Sequence, residues 1–131
     1  MITRNQIFTN VATAFRAAYP TGKAYANRVR TPAAFPCLWC VEQDRYSPQR
    51  NVTFTNDDEQ YQVTFEVQVF SDVSANECRE ILDAVEQVFK GMGFRLQLRM
   101  TMDNYSDTDI CRELARFTRT IGGGDTLGNE T

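Results

Sequence analysis

The sequence contains no histidine and no long apolar run. Without histidine, serine and cysteine triads of the usual kind, most catalytic zinc sites and the most common general base at neutral pH are excluded. No apolar run approaches the roughly 20 residues that span a bilayer, and the start, MITRNQIFTN, lacks the apolar block of a secretion signal. We therefore expect a protein that is made and kept in the cytosol and has no membrane partner.

A strongly basic charge is also missing. The chain has 17 acidic and 14 basic residues, mixed along its length, for a formal net charge of -3. This balance gives no field that would attract nucleic-acid phosphates or acidic lipids, so a basic-groove binder is disfavoured. With 131 residues and 42% hydrophobic content, the chain is suited to one domain with one core.

The two cysteines of PCLWC, residues 36–40, suggest metal or redox chemistry. A zinc knuckle needs both thiolates about 2.3 Å from one ion, and a redox pair needs a turn or helix start. The apolar run 35–41 predicts a strand, in which Cys37 and Cys40 would face opposite sides about 10 Å apart along the chain. We interpret them, with Cys78 and Cys111, as small core residues, and a metal or redox role is the alternative.

The acidic and glycine-rich segments offer no clear catalytic group either. The carboxylates of 57–59 lie in a polar stretch, where solvated charges are expected rather than a pKa-tuned pair. GGGD at 122–125 is not followed by the GK[ST] of a phosphate loop. The sequence therefore predicts no catalytic residue, no bound metal and no cofactor, and we do not expect an enzyme.

Two segments predict amphipathic helices. The first begins at Thr3, which forms a capping box with Gln6, and ends before Pro20. The second covers 75–91, after a similar capping box that opens at Ser74, and repeats apolar side chains every three or four residues. Each helix has one apolar face that requires burial.

Strand patterns account for most of the remaining chain. Residues 61–70 alternate most clearly, and in 94–103 the apolar side chains of Leu96, Leu98, Met100 and Met102 alternate with polar ones. Residues 42–60 and the turn 103–107 are polar and turn-rich, which predicts a long hairpin or loop and a tight connection. Further strands are expected over 23–29, 35–41 and 109–121, the last with a possible bulge because CRELARF locally favours a helix.

These elements predict an α/β (α+β) fold, with a mixed sheet of four to six strands and both helices on one face. Short connections around the second helix imply that the strands before and after it run parallel through a right-handed crossover, with antiparallel flanking pairs. Residues 1–121 would form the single domain and 122–131 a flexible C-terminal tail.

The second face of this sheet would carry polar side chains. Glu66 paired with an arginine across strands would stabilise a monomer by about 0.2–1 kcal/mol, and a subunit interface is the other interpretation. The candidate interface residues are Glu66, Gln68, Arg95 and Arg99 on this face, with Arg45, Tyr46 and Arg50 in the polar segment 42–60.

The order of segments is informative beyond its single elements. After the N-terminal helix come FPCLWCVEQ with its polar hairpin, YQVTFEVQVFS, SANECREILDAVEQVFKGMGF, a strand, DNYSDTD and ICRELARFTRTI. This pattern resembles the tail terminator and tail completion (head-tail joining) proteins of long-tailed bacteriophages. The resemblance covers residues 1 to about 121, and rests on order, length and texture rather than on a catalytic signature.

The resemblance implies a structural virion protein. Members of that group form a hexameric ring at the head-proximal end of the tail tube, end tube polymerisation and join the tail to the head connector. The implied partners are further copies of the chain, the tail tube protein and the head-tail connector or stopper protein, with DNA passing through without specific binding. The implied location is the tail or neck of the virion, assembled in the cytoplasm of the bacterial host.

Two other functions stay open at this stage. One is a different neck, head-closure or minor virion component. The other is a small module for single-stranded nucleic acid, with Trp39, Tyr46 and Phe54 stacking on bases near Arg45 and Arg50.

Overall fold

The computed structural model of the chain describes residues 3–20, 22–26, 35–46, 60–102 and 110–122. Within these ranges the chain forms two helices and one mixed five-stranded sheet, which confirms the predicted fold class. No helix in the described ranges is long and apolar enough to cross a membrane. The elements in chain order are α1 (Arg4–Ala18), β1 (Lys23–Tyr25), β2 (Cys37–Tyr46), β3 (Gln60–Ser71), α2 (Ala75–Gly91), β4 (Arg95–Met102) and β5 (Cys111–Gly122).

The cap of α1 forms as the sequence predicts. The Gln6 amide donates to Thr3 Oγ1 at 3.3 Å, and the Thr3 amide donates to Gln6 Oε1 at 2.8 Å. These two bonds satisfy amides that have no partner within the helix.

The cap of α2 forms only in half. Ser74 Oγ accepts the Glu77 amide at 3.1 Å, but the Glu77 carboxylate accepts the hydroxyl of Ser71 at 2.7 Å. Ser71 is completely buried, and its hydroxyl needs this acceptor. Because the Glu77 side chain binds Ser71, the second half of the predicted capping box, a bond from the Ser74 amide to Glu77, does not form.

The strands are ordered β1-β2-β3-β5-β4 across the sheet. β1 and β2 are parallel, and every other neighbouring pair is antiparallel. Because β3 and β4 are both antiparallel to β5, they run in the same direction, as predicted for the strands that flank α2. β5 lies between them, and its identification as a strand is confirmed by continuous pairing with β3 from Cys111 to Gly122.

Both helices pack on one face of the sheet, which confirms the predicted layering. The core between them contains Ile7, Val11 and Phe15 of α1 and the apolar face of α2. Phe89 of α2 stacks on Phe117 of β5 with ring centroids 4.3 Å apart. Burying a side chain of this kind contributes about 1.5–3 kcal/mol, so this layer is the main source of stability.

β2 is longer than its apolar pattern suggests. The predicted strand ended at Val41, whereas β2 continues to Tyr46, past a bulge between Glu42 and Asp44. Backbone pairing with β3 extends it, and this pairing does not need apolar side chains. The rest of the predicted hairpin (47–59), the turn 103–107 and the chain beyond Gly122 lie outside the described residues.

β4 departs most from the prediction. The alternating pattern placed its leucines and methionines towards the helices, but Leu96 pairs with Phe117 and Leu98 with the adjacent Arg116, so Gln97 forms a bulge. The bulge reverses the alternation, and Leu98, Met100 and Met102 point away from the helices. The prediction that Arg99 lies on the second face is therefore wrong.

The reason for this reversal lies in α2. Arg99 Nη1 lies 2.7 Å from Asp83 Oδ1 and 3.2 Å from Glu86 Oε1. Charge-assisted hydrogen bonds of this kind are stronger than neutral ones. With the bulge, the guanidinium meets both carboxylates on the helix side of the sheet.

Candidate interaction surface

The face of the sheet turned away from the helices is organised in rows. Side chains paired across neighbouring strands point to the same side, so the pairing register defines each row. From the end where β2 begins, the rows read Lys23, Cys37, Phe70, Arg112, Met102; Tyr25, Trp39, Gln68, Leu114, Met100; Val41, Glu66, Arg116, Leu98; and Asp44, Thr64, Thr118, Arg95.

The first two rows contain a small second core. Cys37, Trp39 and Phe70 form one buried cluster on this face. Trp39 is only 4% exposed and Phe70 1%. The ring of Trp39 is therefore packed inside the protein, and its faces are not available for stacking on nucleic-acid bases.

In the third row Glu66 forms the predicted cross-strand ion pair with an arginine. The partner is Arg116 of β5 rather than Arg95 or Arg99 of β4. Glu66 Oε1 lies 3.5 Å from Nη2 of Arg116, directly opposite on β5. Glu66 is 7% exposed, so its carboxylate belongs to the interior of the subunit. This geometry favours the intrasubunit interpretation of Glu66 over a contact with a neighbour.

The other candidate interface residues are scattered. Gln68 is half-buried between Trp39 and Leu114, whereas Arg95 is exposed at the start of β4. The backbones of Arg45 and Tyr46 lie in β2, but their side chains lie outside what the structure describes, as does all of Arg50. Four residues were predicted on the second face: Glu66, Gln68, Arg95 and Arg99. Of these, Arg95 is the one that is exposed on that face, in the same row as Asp44 of β2.

Arg99 is part of a structural charge cluster. Besides Arg99, Glu86 also binds Lys90, with Nζ and Oε2 2.8 Å apart. The hydrogen bond from Lys90, assisted by Arg99, holds the pKa of Glu86 below its usual value despite partial burial. These contacts join β4 to α2 within one subunit and hold Arg99 on the helix side of the sheet.

The bulge leaves an apolar stripe on the edge strand, here called the β4 stripe (Leu98, Met100 and Met102). Met100 is 45% exposed, and Leu96, on the other face of β4, is 38% exposed. Among the described residues, neither core cluster includes any of these four side chains. Exposed apolar side chains on an edge strand are a common feature of interaction sites.

This edge carries only some of the features that keep edge strands apart. Exposed lysines, prolines, bulges and inward-pointing charges commonly prevent edge strands from associating. β4 has the bulge at Gln97 and the inward-pointing Arg99, but neither lysine nor proline. Apart from the bulge at Gln97, the stretch from Leu98 to Met102 keeps regular pairing with β5 and is suited to contact another surface.

The opposite edge of the sheet contains a cavity of about 450 Å³, here called the β2 pocket. Within the described ranges β1 pairs only with Cys37–Trp39, so the next residues of β2 border the cavity. Sequence reasoning missed this site because its walls come from distant segments. Its lining includes Arg4, Phe8, Ala26, Cys40, Glu42 and Phe65.

The cysteines lie as the strand interpretation predicts. Cys37 belongs to the small second core, whereas Cys40 points into the main core on the other face. Burial raises the pKa of Cys37 to about 12, and it also raises the pKa of Cys40. Both thiols are therefore protonated at neutral pH and directed away from each other, which is unfavourable for a shared metal ion.

Comparisons with known proteins add no assignment. No protein-family model matches the chain, and no curated protein matches it. Inference about function therefore depends on the fold, the β4 stripe and the β2 pocket, together with the segment order of the sequence.

Proposed function

We propose that the chain is a structural subunit of a phage tail, which forms a ring at the head-proximal end of the tube, ends tube polymerisation and joins the tail to the head connector. The observation that carries this proposal is the β4 stripe. The segment order described above supplies the kind of assembly, and the stripe supplies a surface through which a subunit can assemble.

The chemistry of the stripe supports contact between proteins. Burying apolar surface contributes about 25 cal/mol per Å², and side chains such as Met100 remain exposed although the chain has two apolar cores. Methionine adapts to irregular partner surfaces because its side chain is flexible and polarisable. A single subunit leaves this contribution unrealised, whereas an assembly gains it.

The two edges of the sheet also suit a closed ring. A ring of identical subunits requires two different, complementary surfaces on each subunit. Here one edge is β4 with exposed apolar side chains, and the other is the short strand β1, beyond whose pairing with Cys37–Trp39 the next residues of β2 border the pocket. The helices pack on a single face between these edges, so the subunit can associate without rearranging its core.

Tube length measures the proposed activity directly. The tail tube protein is polymerised with and without the purified chain, and tube lengths are measured by negative-stain electron microscopy. We expect the chain to shorten the tubes and to occupy one end of each. The variant Met100→Asp should lose this effect, because a charge in the stripe opposes burial.

A matched variant distinguishes the stripe from general changes in the surface. Val73 is 72% exposed and lies outside the β4 stripe, so Val73→Asp adds the same charge elsewhere and should still shorten tubes. If the wild-type chain leaves tube length unchanged but binds the connector protein, the proposal of a terminator is wrong and a head-closure role is favoured.

A further inference from the structure

We infer that Cys78 and Cys111 form an oxidative modification site, at which a hydroperoxide joins their two sulfur atoms in a disulfide. The spacing of the sequence does not indicate this pair, because the two residues are 33 positions apart. Both are thiols in the structure. The redox role that was the alternative for the cysteines of PCLWC is thus assigned to two other thiols.

The fold brings Cys78 and Cys111 to the same end and the same face of the sheet. β5 begins at Cys111, which pairs with Ser71 at the end of β3. The Ser71 hydroxyl binds Glu77 of α2, so Ser71 and the Cys111 side chain beside it both point to the helix side. Cys78 lies in the first turn of α2, directly above this corner.

The two cysteines are in contact. The Cys78 thiol donates to the carbonyl oxygen of Cys111, with sulfur and oxygen 3.3 Å apart, and its sulfur lies 3.6 Å from the carbonyl oxygen of Val69. Cys78 belongs to the main core, and the Cys111 side chain packs against that core. Disulfides join cysteines whose Cα atoms are about 4.4–6.8 Å apart. Rotation of the thiols about their Cα–Cβ bonds, rather than a change of fold, is therefore enough to join them.

The other two cysteines are less well placed for a disulfide with Cys78. Cys37 belongs to the small second core on the opposite face, so the backbone of the sheet separates the two thiols. Cys40 lies on the helix side, but its strand, β2, is on the other side of β3 from Cys111. The fold therefore selects one pair among the four cysteines.

The two thiols differ in access to solvent. Cys111 is partly exposed, whereas Cys78 is completely buried. Burial raises the pKa of Cys78 to about 12, and negative charge on Cys111 and Glu113 adds to this shift. Cys78 is therefore a protonated thiol that a reagent in solution does not reach. A peroxide meets Cys111 first, and Cys78 acts as the resolving thiol.

The reaction takes place in two balanced steps. The Cys111 thiolate attacks one peroxide oxygen, so that an S–O bond forms, the O–O bond breaks and hydroxide leaves with the electron pair. The Cys78 sulfur then attacks the sulfenic sulfur of Cys111, forming the S–S bond and breaking the S–O bond. The departing hydroxide takes the Cys78 proton and becomes water. In total, two thiols and one hydrogen peroxide give one disulfide and two waters.

The disulfide would fasten the first turn of α2 to the start of β5. A bond between residues 33 positions apart restricts the unfolded chain and so stabilises the folded one. The timing of this reaction rests on the proposed function, because a virion component leaves the reducing cytoplasm, where disulfides are rare, for an oxidising medium at release. The bond would then form in the finished particle.

Peptide mapping of the oxidised protein tests the site directly. The purified full-length chain is treated with hydrogen peroxide, denatured in an alkylating reagent and digested without reduction. We expect one disulfide, between Cys78 and Cys111, with Cys37 and Cys40 alkylated. Cys111→Ser should form no disulfide, and the matched variant Cys37→Ser should form it at the wild-type rate. A disulfide between any other pair, or thiols at both positions after treatment, would overturn the inference.

Two further measurements test the order of the steps and the consequence for stability. Dimedone, which traps sulfenic acids, should label Cys111 in the wild type, and Cys78→Ala should increase this label roughly tenfold because the resolving thiol is missing. A label on Cys78 alone would overturn the assigned order. Oxidation should raise Tm by about 5–12 °C, dithiothreitol should reverse the rise, and Cys111→Ser should not show it. An unchanged Tm in the oxidised wild type would contradict the fastening of α2.

The outcomes separate this inference from the proposed function. A chain that shortens tubes but forms no disulfide between Cys78 and Cys111 overturns the inference and leaves the proposed function standing. A chain that forms the disulfide but does not change tube length supports the modification site and overturns the proposed function together with the timing drawn from it.

Discussion

Gly22 joins α1 to the first strand pair, and a single methyl group should disrupt this joint. A Cβ at position 22 would lie 2.7 Å from the carbonyl oxygen of Pro36 and 2.8 and 2.9 Å from ring atoms of Phe15. The same Pro36 oxygen accepts the Lys23 amide at 3.2 Å, and Phe15 is 4% exposed in the core. Gly22→Ala therefore forces either backbone or a packed ring to move.

The expected loss of stability follows from this geometry. Forcing one methyl group into a packed region costs about 1–3 kcal/mol, which lowers Tm by about 3–12 °C for a domain of this length. Gly91, at the end of α2, provides the matched control, because nothing lies within 4 Å of the position that an added methyl group would occupy there. Gly91→Ala should raise the free energy of unfolding by about 0.4–1 kcal/mol.

Urea denaturation followed by circular dichroism measures both variants. We expect their midpoints to move in opposite directions from that of the wild type, with the slope of the transition unchanged. Wild-type stability in Gly22→Ala would refute the contacts assigned to this joint. Equal destabilisation in Gly91→Ala would show that loss of glycine itself, rather than crowding, is responsible.

Three further predictions concern the charge cluster and the thiols. Arg99→Gln should lower the free energy of unfolding by about 0.5–1 kcal/mol, because the pair is partly exposed, and should leave the mass of the assembly unchanged; a smaller assembly would restore Arg99 to the interface. The pKa of Glu86 is lowered in the folded protein, so the stability that this carboxylate contributes is present above pH 4.5 and is lost as the pH falls through the folded-state pKa. Glu86→Gln should therefore lose less stability than the wild type when the pH is lowered, and the same loss in both proteins would contradict this. Burial raises the pKa of Cys37 and of Cys78 from 9.0 to about 12. The free energy of unfolding should therefore fall between pH 9 and 12, where these thiols ionise only in the unfolded chain. A thiol reagent that labels both cysteines as fast in the native protein as in urea would contradict their burial.

Much of the fold was predictable from local patterns. The cap at Thr3, the periodicity of α2 and the alternation in β3 each depend on residues close in sequence. The opposed directions of Cys37 and Cys40 follow from strand geometry alone. These features are confirmed because neighbouring residues determine them.

The errors share a tertiary origin. The alternation of Leu96, Leu98, Met100 and Met102 contains no sign of a bulge, since the carboxylates that bind Arg99 lie on a different element, 13 and 16 residues earlier. The extension of β2 beyond Val41 depends on backbone pairing with β3, which leaves little trace in side-chain type. The β2 pocket combines α1, β2 and β3, and no single segment indicates it.

The candidate interface could be predicted only in part from the sequence, because the bulge in β4 depends on contacts with another element. The alternating pattern placed the apolar side chains of β4 against the helices, so polar residues such as Glu66 were left as candidates for either a subunit contact or an ion pair within one subunit. The bulge instead turns Leu98, Met100 and Met102 away from the helices and leaves Met100 exposed. The surface that supports the proposed assembly is thus the one that simple alternation assigns to the core.

Native mass spectrometry of the purified chain over a range of concentrations tests the central claim most directly. The account predicts one closed assembly of discrete mass for the wild type and a monomer for Met100→Asp. A wild-type chain that is monomeric throughout, or a Met100→Asp variant with the same assembly mass as the wild type, would contradict it.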